Sequence, residues 1–211
     1  MDADRRARLE RAQLYFIGGA TSVGETLRAA LAGGVDLFQL REKQLGDSPL
    51  LRAADAAREL CEEAGALFIV NDRPDVARSA DADGVHVGQG DASVAAARRM
   101  VGPDRLVGLS THSPEQIAAA EGADYLGVGP VHATPTKLGR PAVGVGLVAH
   151  AAQHARVPWF AIGGLNAANV GAVLEAGARR ISVVRAIAEA DDPERAARTL
   201  KAMVSDGTAR T

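Results

Sequence analysis

The chain has 211 residues, 24 Lys and Arg against 26 Asp and Glu, a formal net charge of −2, 47% hydrophobic residues and one Cys. That length can bury a sizeable core, and the near-neutral charge without a Lys/Arg run rules out a basic protein that coats nucleic acid and a polybasic membrane patch. The lone Cys61 cannot form an internal disulfide, so a reducing compartment is the natural reading. The longest apolar runs are strand-sized, too short to span a bilayer. The first thirteen residues carry Asp2, Asp4, Arg5, Arg6, Arg8, Glu10 and Arg11 and lack the apolar core of a signal peptide. The expectation is a soluble, cytoplasmic protein with no nucleic-acid or membrane partner.

Taken in chain order, buried-strand patterns fall at Leu14–Gly18, Leu37–Leu40, Leu67–Val70, Gly84–Val87, Leu106–Leu109, Tyr125–Val128, Trp159–Ile162 and Ile181–Val184. Ala-, Arg- and Glu-rich helical patterns lie between most of them, among them Pro49–Ala64, Ser93–Met100, Pro114–Ala120, Ala167–Glu175 and Pro193–Met203. Strands alternating with helices imply a parallel sheet. A weak repeat runs through the junctions: Ala-Gly-Ala before Leu67, Ala-Asp-Gly before Val85, Gly-Ala-Asp before Tyr125 and Ala-Gly-Ala before Arg179. Gly just past a helix end permits the left-handed turn that stops it. Eight units at a mean spacing of about 26 residues suit a small (β/α)₈ barrel. A doubly wound open sheet is the alternative, but no G-x-G-x-x-G follows the first strand. The fold expected is α/β, a single (β/α)₈ TIM barrel with a short N-terminal helical extension. No linker divides the chain, so one domain is expected over 1–211, with its core at about 12–200.

In such a barrel the active site lies at the C-terminal ends of the strands. Strand two runs from Val35 to Lys43, and a period of two puts Gln39, Arg41 and Lys43 on the face of Val35 and Leu37. Two cations on one face repel each other unless an anion lies between them, or unless they are solvated and paired with Glu42. Strand three ends Val70-Asn71-Asp72-Arg73 and strand four ends Val87-Gly88-Gln89-Gly90-Asp91. Neighbouring strands about 4.8 Å apart would set Asp72 and Asp91 on one rim. Two carboxylates there suit Mg²⁺, which takes one or two carboxylates plus substrate phosphate oxygens; each Asp could equally cap the following helix.

Strand six leads into Gly129-Pro130-Val131-His132-Ala133-Thr134-Pro135-Thr136-Lys137, with two hydroxyls and a third cation. The glycine-bearing stretch Leu138–Leu147 reads as a mobile flap. Strands seven and eight end at Gly163-Gly164 and Val184-Arg185, the place where barrels of this kind recurrently bind phosphate through backbone N–H groups. His86 sits on a strand and reads as core lining. His112, His132, His150 and His154 lack metal-ligand spacing, Ser110 has no nucleophile-elbow setting, and no Walker sequence is present.

Gln39-Leu40-Arg41-Glu42-Lys43, Val70–Arg73, Gly84–Asp91, Gly108–His112, Thr134–Lys137, Ala161–Gly164 and Val183–Ile187, in that order over about residues 12 to 200, resemble thiamine phosphate synthase. The resemblance implies a transferase of thiamine biosynthesis. It would join 4-amino-2-methyl-5-hydroxymethylpyrimidine diphosphate to 4-methyl-5-hydroxyethylthiazole phosphate, or its carboxylate form, with Mg²⁺ as cofactor. It implies a dissociative reaction in which Arg41, Lys43 and Lys137 are catalytic. It places the pyrimidine diphosphate against Gln39, Leu40, Arg41, Glu42, Lys43, Asn71, Ser110 and Lys137, and the metal on Asp72 and Asp91. The thiazole phosphate falls near Thr134, Pro135, Thr136, Gly164, Val184 and Arg185. Family members commonly carry Ser where this chain has Arg185; a contact through the backbone N–H tolerates either.

The partners implied are small phosphorylated molecules, and a homo-oligomer is compatible with the pattern. A thiazole tautomerase on the same barrel would need no diphosphate and metal set, against the joint presence of Lys43, Asp72, Asp91 and Lys137. A Schiff-base aldolase would need a Lys inside a strand, and none of Lys43, Lys137 and Lys201 is so placed. A non-catalytic phosphate sensor would bind without turnover.

Overall fold

The computed structural model describes residues 3–133 and 141–209. Thr134, Pro135, Thr136 and Lys137 therefore lie outside the described residues. Eight parallel strands close into a barrel in sequential order. They are β1 (Leu14–Gly18), β2 (Leu37–Leu40), β3 (Leu67–Asn71), β4 (Gly84–Val87), β5 (Leu106–Thr111), β6 (Tyr125–Val128), β7 (Trp159–Ile162) and β8 (Ile181–Val183). The helices of the outer ring are α2 (Glu25–Ala32), α3 (Asp47–Ala64), α4 (Pro74–Ser79), α5 (Val94–Val101), α6 (Pro114–Ala118), α7 (Gly144–His154), α8 (Val170–Glu175), α9 (Arg185–Ala188) and α10 (Pro193–Ala209).

Alternation along each strand builds two cores. Phe16, Phe38, Phe68, Val85 and Val107 point outward and meet Leu27, Leu50, Ala54 and Ala77 from the helices. Tyr15, Leu37, Leu67, Leu106, Tyr125 and Phe160 point inward and fill the barrel. Each fully buried Phe or Leu contributes roughly 1.5–3 kcal/mol through area removed from water. Both faces of the strands are covered, so they read as near-continuous apolar runs.

The N-terminal extension is helix α1 (Ala3–Arg11). Its Leu9 reaches the interior core from below, with Ala12 just after the helix, so α1 closes the N-terminal end of the barrel. Arg5 Nε reaches Asp83 Oδ1 at 2.7 Å and Arg6 Nη2 reaches Asp124 Oδ1 at 2.6 Å. Among the described residues a cavity opens at the opposite end of the barrel. No helix among the described residues is long and apolar enough to cross a membrane.

Two local expectations are corrected. Val35 belongs to the helix-facing core, not to the face of Leu37 and Gln39, because β2 begins only at Leu37. Of the expected flap, Leu138, Gly139 and Arg140 lie outside the described residues, and Gly144–Leu147 forms the first turn of α7. The chain there is tied down by Val143 N–H to Pro130 O at 2.8 Å and Gly144 N–H to Val131 O at 3.1 Å.

Candidate active site

A cavity of about 430 Å³ opens at the C-terminal mouth of the barrel. Its floor is the inward face of the strands: Tyr15 on β1, Gln39 on β2, Asn71 on β3, His86 on β4, Ser110 on β5, Phe160 on β7 and Ser182 on β8. Parallel register aligns these positions, with Asn71 beside His86 and Ser182 beside both Tyr15 and Ile162. Period two fixes which residues look inward; the ends of the strands fix which reach the mouth.

The floor is held by a buried hydrogen-bond chain. The Gln39 amide Nε2 donates to Tyr15 Oη. The Tyr15 and Tyr125 hydroxyls lie 3.1 Å apart, Tyr125 Oη is 3.3 Å from His86 Nδ1, and His86 Nε2 is 2.9 Å from Ser110 Oγ. Burial drives both tyrosine pKa values up, so both hydroxyls stay protonated at neutral pH. Gly108 makes this chain possible: a Cβ there would stand 2.2 Å from Tyr125 Cζ and 2.5 Å from His86 Nδ1.

One side of the mouth gathers charge. Arg41 lines the cavity one residue beyond the end of β2. Lys43 Nζ lies 3.3 Å from Asp72 Oδ2. Asp72, just past β3, has a φ of +60° and its N–H donates to His86 O at 2.8 Å. Its carboxyl pKa is raised, first by burial and then by the Asp91 carboxylate beside it, with Lys43 opposing. Asp91 Oδ2 in turn accepts the Gly88 N–H at 2.9 Å. Neither aspartate is the residue before its helix: Arg73 precedes α4 and Ser93 precedes α5, with Ser93 accepting the Ala96 N–H. Two facing carboxylates with oxygen as the donor atom fit a hard divalent cation that fills its remaining positions from ligand and water. Among the described residues no group of three or more His, Cys, Asp or Glu gathers around a metal position.

The other side of the mouth is backbone. Gly163 and Gly164 after β7 have φ of +114° and +65°, in the region that L side chains rarely adopt. A Cβ on Gly163 would also strike Pro130 Cα at 2.5 Å. The turn is bound to the β6 loop by Val131 N–H to Ile162 O and His132 N–H to Gly163 O, at 2.8 and 3.1 Å. Gly164, Val184 and Arg185 line the cavity here, with the Arg185 side chain exposed at its edge.

Within the Gln39–Lys43 stretch the side chains part company. Gln39 and Arg41 face the cavity. Leu40 is packed in the helix-facing core. Glu42 turns onto its own loop, accepting the N–H groups of Lys43 and Gln44 at 2.8 and 3.0 Å, which lowers its pKa. Sequence reasoning did not single out Tyr15, Tyr125, Phe160, Ile162 or Ser182, and treated His86 as core lining. Reading period two outward from Gln39 on every strand would have found them.

The family model for thiamine monophosphate synthase matches residues 14–187. Over 92% of its length the chain is 50% identical to a thiamine-phosphate synthase from Nostoc sp., and over 95% it is 52% identical to one from Thermobifida fusca. It spans 56% of the Nostoc protein and 96% of the Thermobifida one; the chain thus covers little more than half the length of the cyanobacterial relatives it matches. Among solved structures, thiamine phosphate pyrophosphorylase from Pyrococcus furiosus superposes with a TM-score of 0.86 at 33% identity, covering 96% of this chain and 98% of that one. The barrel, its two-sided mouth and these likenesses together make the chain a member of the thiamine-phosphate synthase family.

Proposed function

We propose that the chain joins an aminopyrimidine methyl diphosphate to a hydroxyethylthiazole phosphate, giving thiamine phosphate and pyrophosphate. One observation carries the reading: the cavity meets Arg41 on its β2 side, with Lys43, Asp72 and Asp91 gathered at the neighbouring strand ends, and a diglycine backbone turn on its β7–β8 side. That asymmetry suits two phosphorylated substrates held with their rings facing each other over the floor.

In this reading the bond from the pyrimidine methylene carbon to the diphosphate oxygen breaks, and its electron pair leaves with the diphosphate. The thiazole nitrogen lone pair then forms the new C–N bond. No protein nucleophile is required. Arg41, Lys43 and Lys137 stabilise the charge growing on the leaving group. Asp72 and Asp91 would hold Mg²⁺, which supplies Lewis-acid neutralisation of the diphosphate when bound. Gln39, Asn71 and Ser110 orient the pyrimidine diphosphate, with Leu40 and Glu42 shaping the strand end and loop that carry Arg41 and Lys43. Backbone N–H groups at Gly164, Val184 and Arg185, with Thr134, Pro135 and Thr136, receive the thiazole phosphate. Holding both rings in one walled cavity keeps water from the cationic carbon.

The test is direct. Purified protein with both precursors should yield thiamine phosphate by mass detection with Mg²⁺ and none with EDTA. Absence of product with Mg²⁺ present would overturn the reading. Conversion of a thiazole tautomer without any coupling would replace it with the isomerase.

A further inference from the structure

The buried chain under the cavity has a direction. Gln39 Nε2 donates to Tyr15 Oη, which leaves the Tyr15 hydrogen for Tyr125 Oη. The Tyr125 hydrogen is left in turn for His86 Nδ1, 3.3 Å away. A ring nitrogen that accepts carries no hydrogen, so the ring hydrogen sits on Nε2 and is donated to Ser110 Oγ at 2.9 Å. Ser110 keeps its own hydrogen to give. Alternation sets its side chain on the inward face of β5 with Leu106 and Gly108, where it lines the cavity. Its backbone is held as well, since Ser110 O accepts from Gln89 Nε2 at 2.7 Å.

We propose that His86 is a positioning residue: with Tyr125 behind it, it holds the Ser110 hydroxyl as a hydrogen-bond donor toward the pyrimidine diphosphate. This rests on the function proposed above. A serine hydroxyl left to itself rotates, giving or taking a hydrogen as its partner asks. With one lone pair engaged by His86 Nε2, its hydrogen turns away from the imidazole. The pyrimidine ring nitrogens and the diphosphate oxygens are both acceptors, so a donor fixed in advance meets either without reorganising. Tyr125 is fully buried and is not among the residues that line the cavity. Its hydroxyl therefore reaches a substrate only through the chain. Gly108, the register neighbour of both His86 and Tyr125, leaves the space in which their polar atoms meet.

The experiment is a double-mutant cycle read by steady-state kinetics, with each substrate varied in turn. His86→Leu, His86→Gln and Tyr125→Phe are assayed alone and in a Ser110→Ala background. His86→Leu should raise the KM for the pyrimidine diphosphate about 5- to 30-fold, the scale of one hydrogen bond, with the thiazole phosphate KM within about 2-fold. Tyr125→Phe, which keeps every cavity-lining side chain, should raise the same KM at least about 3-fold. His86→Gln, whose amide both donates and accepts, should recover most of the loss. In the Ser110→Ala background none of the three should add more than about 2-fold. Losses that multiply with that of Ser110→Ala would overturn the proposal, as would an unchanged pyrimidine diphosphate KM in His86→Leu. If His86→Leu does not fold, Tyr125→Phe decides by the same cycle, and its silence overturns the proposal. Within a positive result, inorganic pyrophosphate names the acceptor. Equal inhibition of His86→Leu and the unaltered protein assigns the ring, and weakened inhibition of the variant assigns the diphosphate. If the unaltered protein makes no thiamine phosphate, the proposed function falls and the role of His86 with it; product formation with multiplying losses sinks only the latter.

Discussion

Lys43 shows how a residue's stability role and its chemical role separate. Its side chain is 57% exposed, and its ion pair with Asp72 spans 3.3 Å, so the pair is worth at most about 1 kcal/mol to the fold. Under the proposed function its charge acts on the leaving diphosphate. Lys43→Ala should therefore unfold in urea within about 1 kcal/mol of the unaltered protein, yet turn over roughly 10²-fold more slowly. Turnover within a few-fold would remove Lys43 from the chemistry. Gly108 makes the opposite case, since it does not line the cavity. Gly108→Ala must push Tyr125 and His86 apart, at about 1–3 kcal/mol of overpacking strain. That loss is to be read from a urea melt, and an unchanged midpoint would mean that the floor can yield. Of these residues the charged ones were legible in the sequence, because charge at the end of an apolar run has few structural explanations. Tyr15, Tyr125 and Ser182 were not, because a single polar atom on an apolar strand looks the same whether it faces the core or a ligand. Leu40 and Glu42 show the converse: they lie inside a family motif, but alternation and a loop turn take their side chains elsewhere.

At the scale of elements, the N-terminal end of the barrel is stitched by one device used three times. Asp36, Asp83 and Asp124 each directly precede an even-numbered strand, and each accepts a backbone N–H from the strand before it. The donors are Leu14 at 2.8 Å, Phe68 at 2.9 Å and Val107 at 2.8 Å. Each carboxylate is also met by a cation: Lys201, Arg5, and Arg6 with Arg98. The fourth even strand has Arg180 in the equivalent place, and there the backbone carbonyl of Arg180 accepts the Ala161 N–H at 3.0 Å. Asp124 is the most enclosed, with its side chain 4% exposed. Asp124→Ala should cost about 2–3 kcal/mol, the value of a charge-assisted hydrogen bond plus the unpaired Val107 N–H it leaves. A urea titration measures this, and a loss below 1 kcal/mol would show that Arg6 and Arg98 find other partners. The eightfold alternation and most strand limits were legible from apolar runs alone. The repeated aspartates were visible too, but as punctuation beside glycine; that they bind the preceding strand depends on register, which a single sequence does not print.

Across the whole molecule, the buried acids set the alkaline limit of the fold. Cys61 is 1% exposed on the inner face of α3, and burial, aided by the nearby Asp83 carboxylate, pushes its thiol from an ordinary value of 9.0 up to about 12. At pH 8 the thiol is protonated and enclosed, so iodoacetamide should label it only after unfolding. The folded pKa lies above the unfolded one, so the stabilisation is complete below pH 9 and is lost as pH rises toward 12. In that window the unfolded chain has released its proton and the folded chain has not, and stability falls by about 1.4 kcal/mol per pH unit for this one group. Tyr15 and Tyr125 shift in the same direction through burial, and their unfolded counterparts begin to ionise near pH 10. With three groups holding protons that the unfolded chain has lost, the slope above pH 10 steepens toward about 4 kcal/mol per unit. Urea titrations at half-unit steps from pH 7.5 to 11 should therefore give a plateau, a shallow fall beginning near pH 9 and a steep one beyond 10. Cys61→Ala should abolish the shallow segment and keep the steep one. A stability that stays flat to pH 10.5 would mean that these groups ionise inside the folded barrel, and that its interior is far wetter than their burial implies.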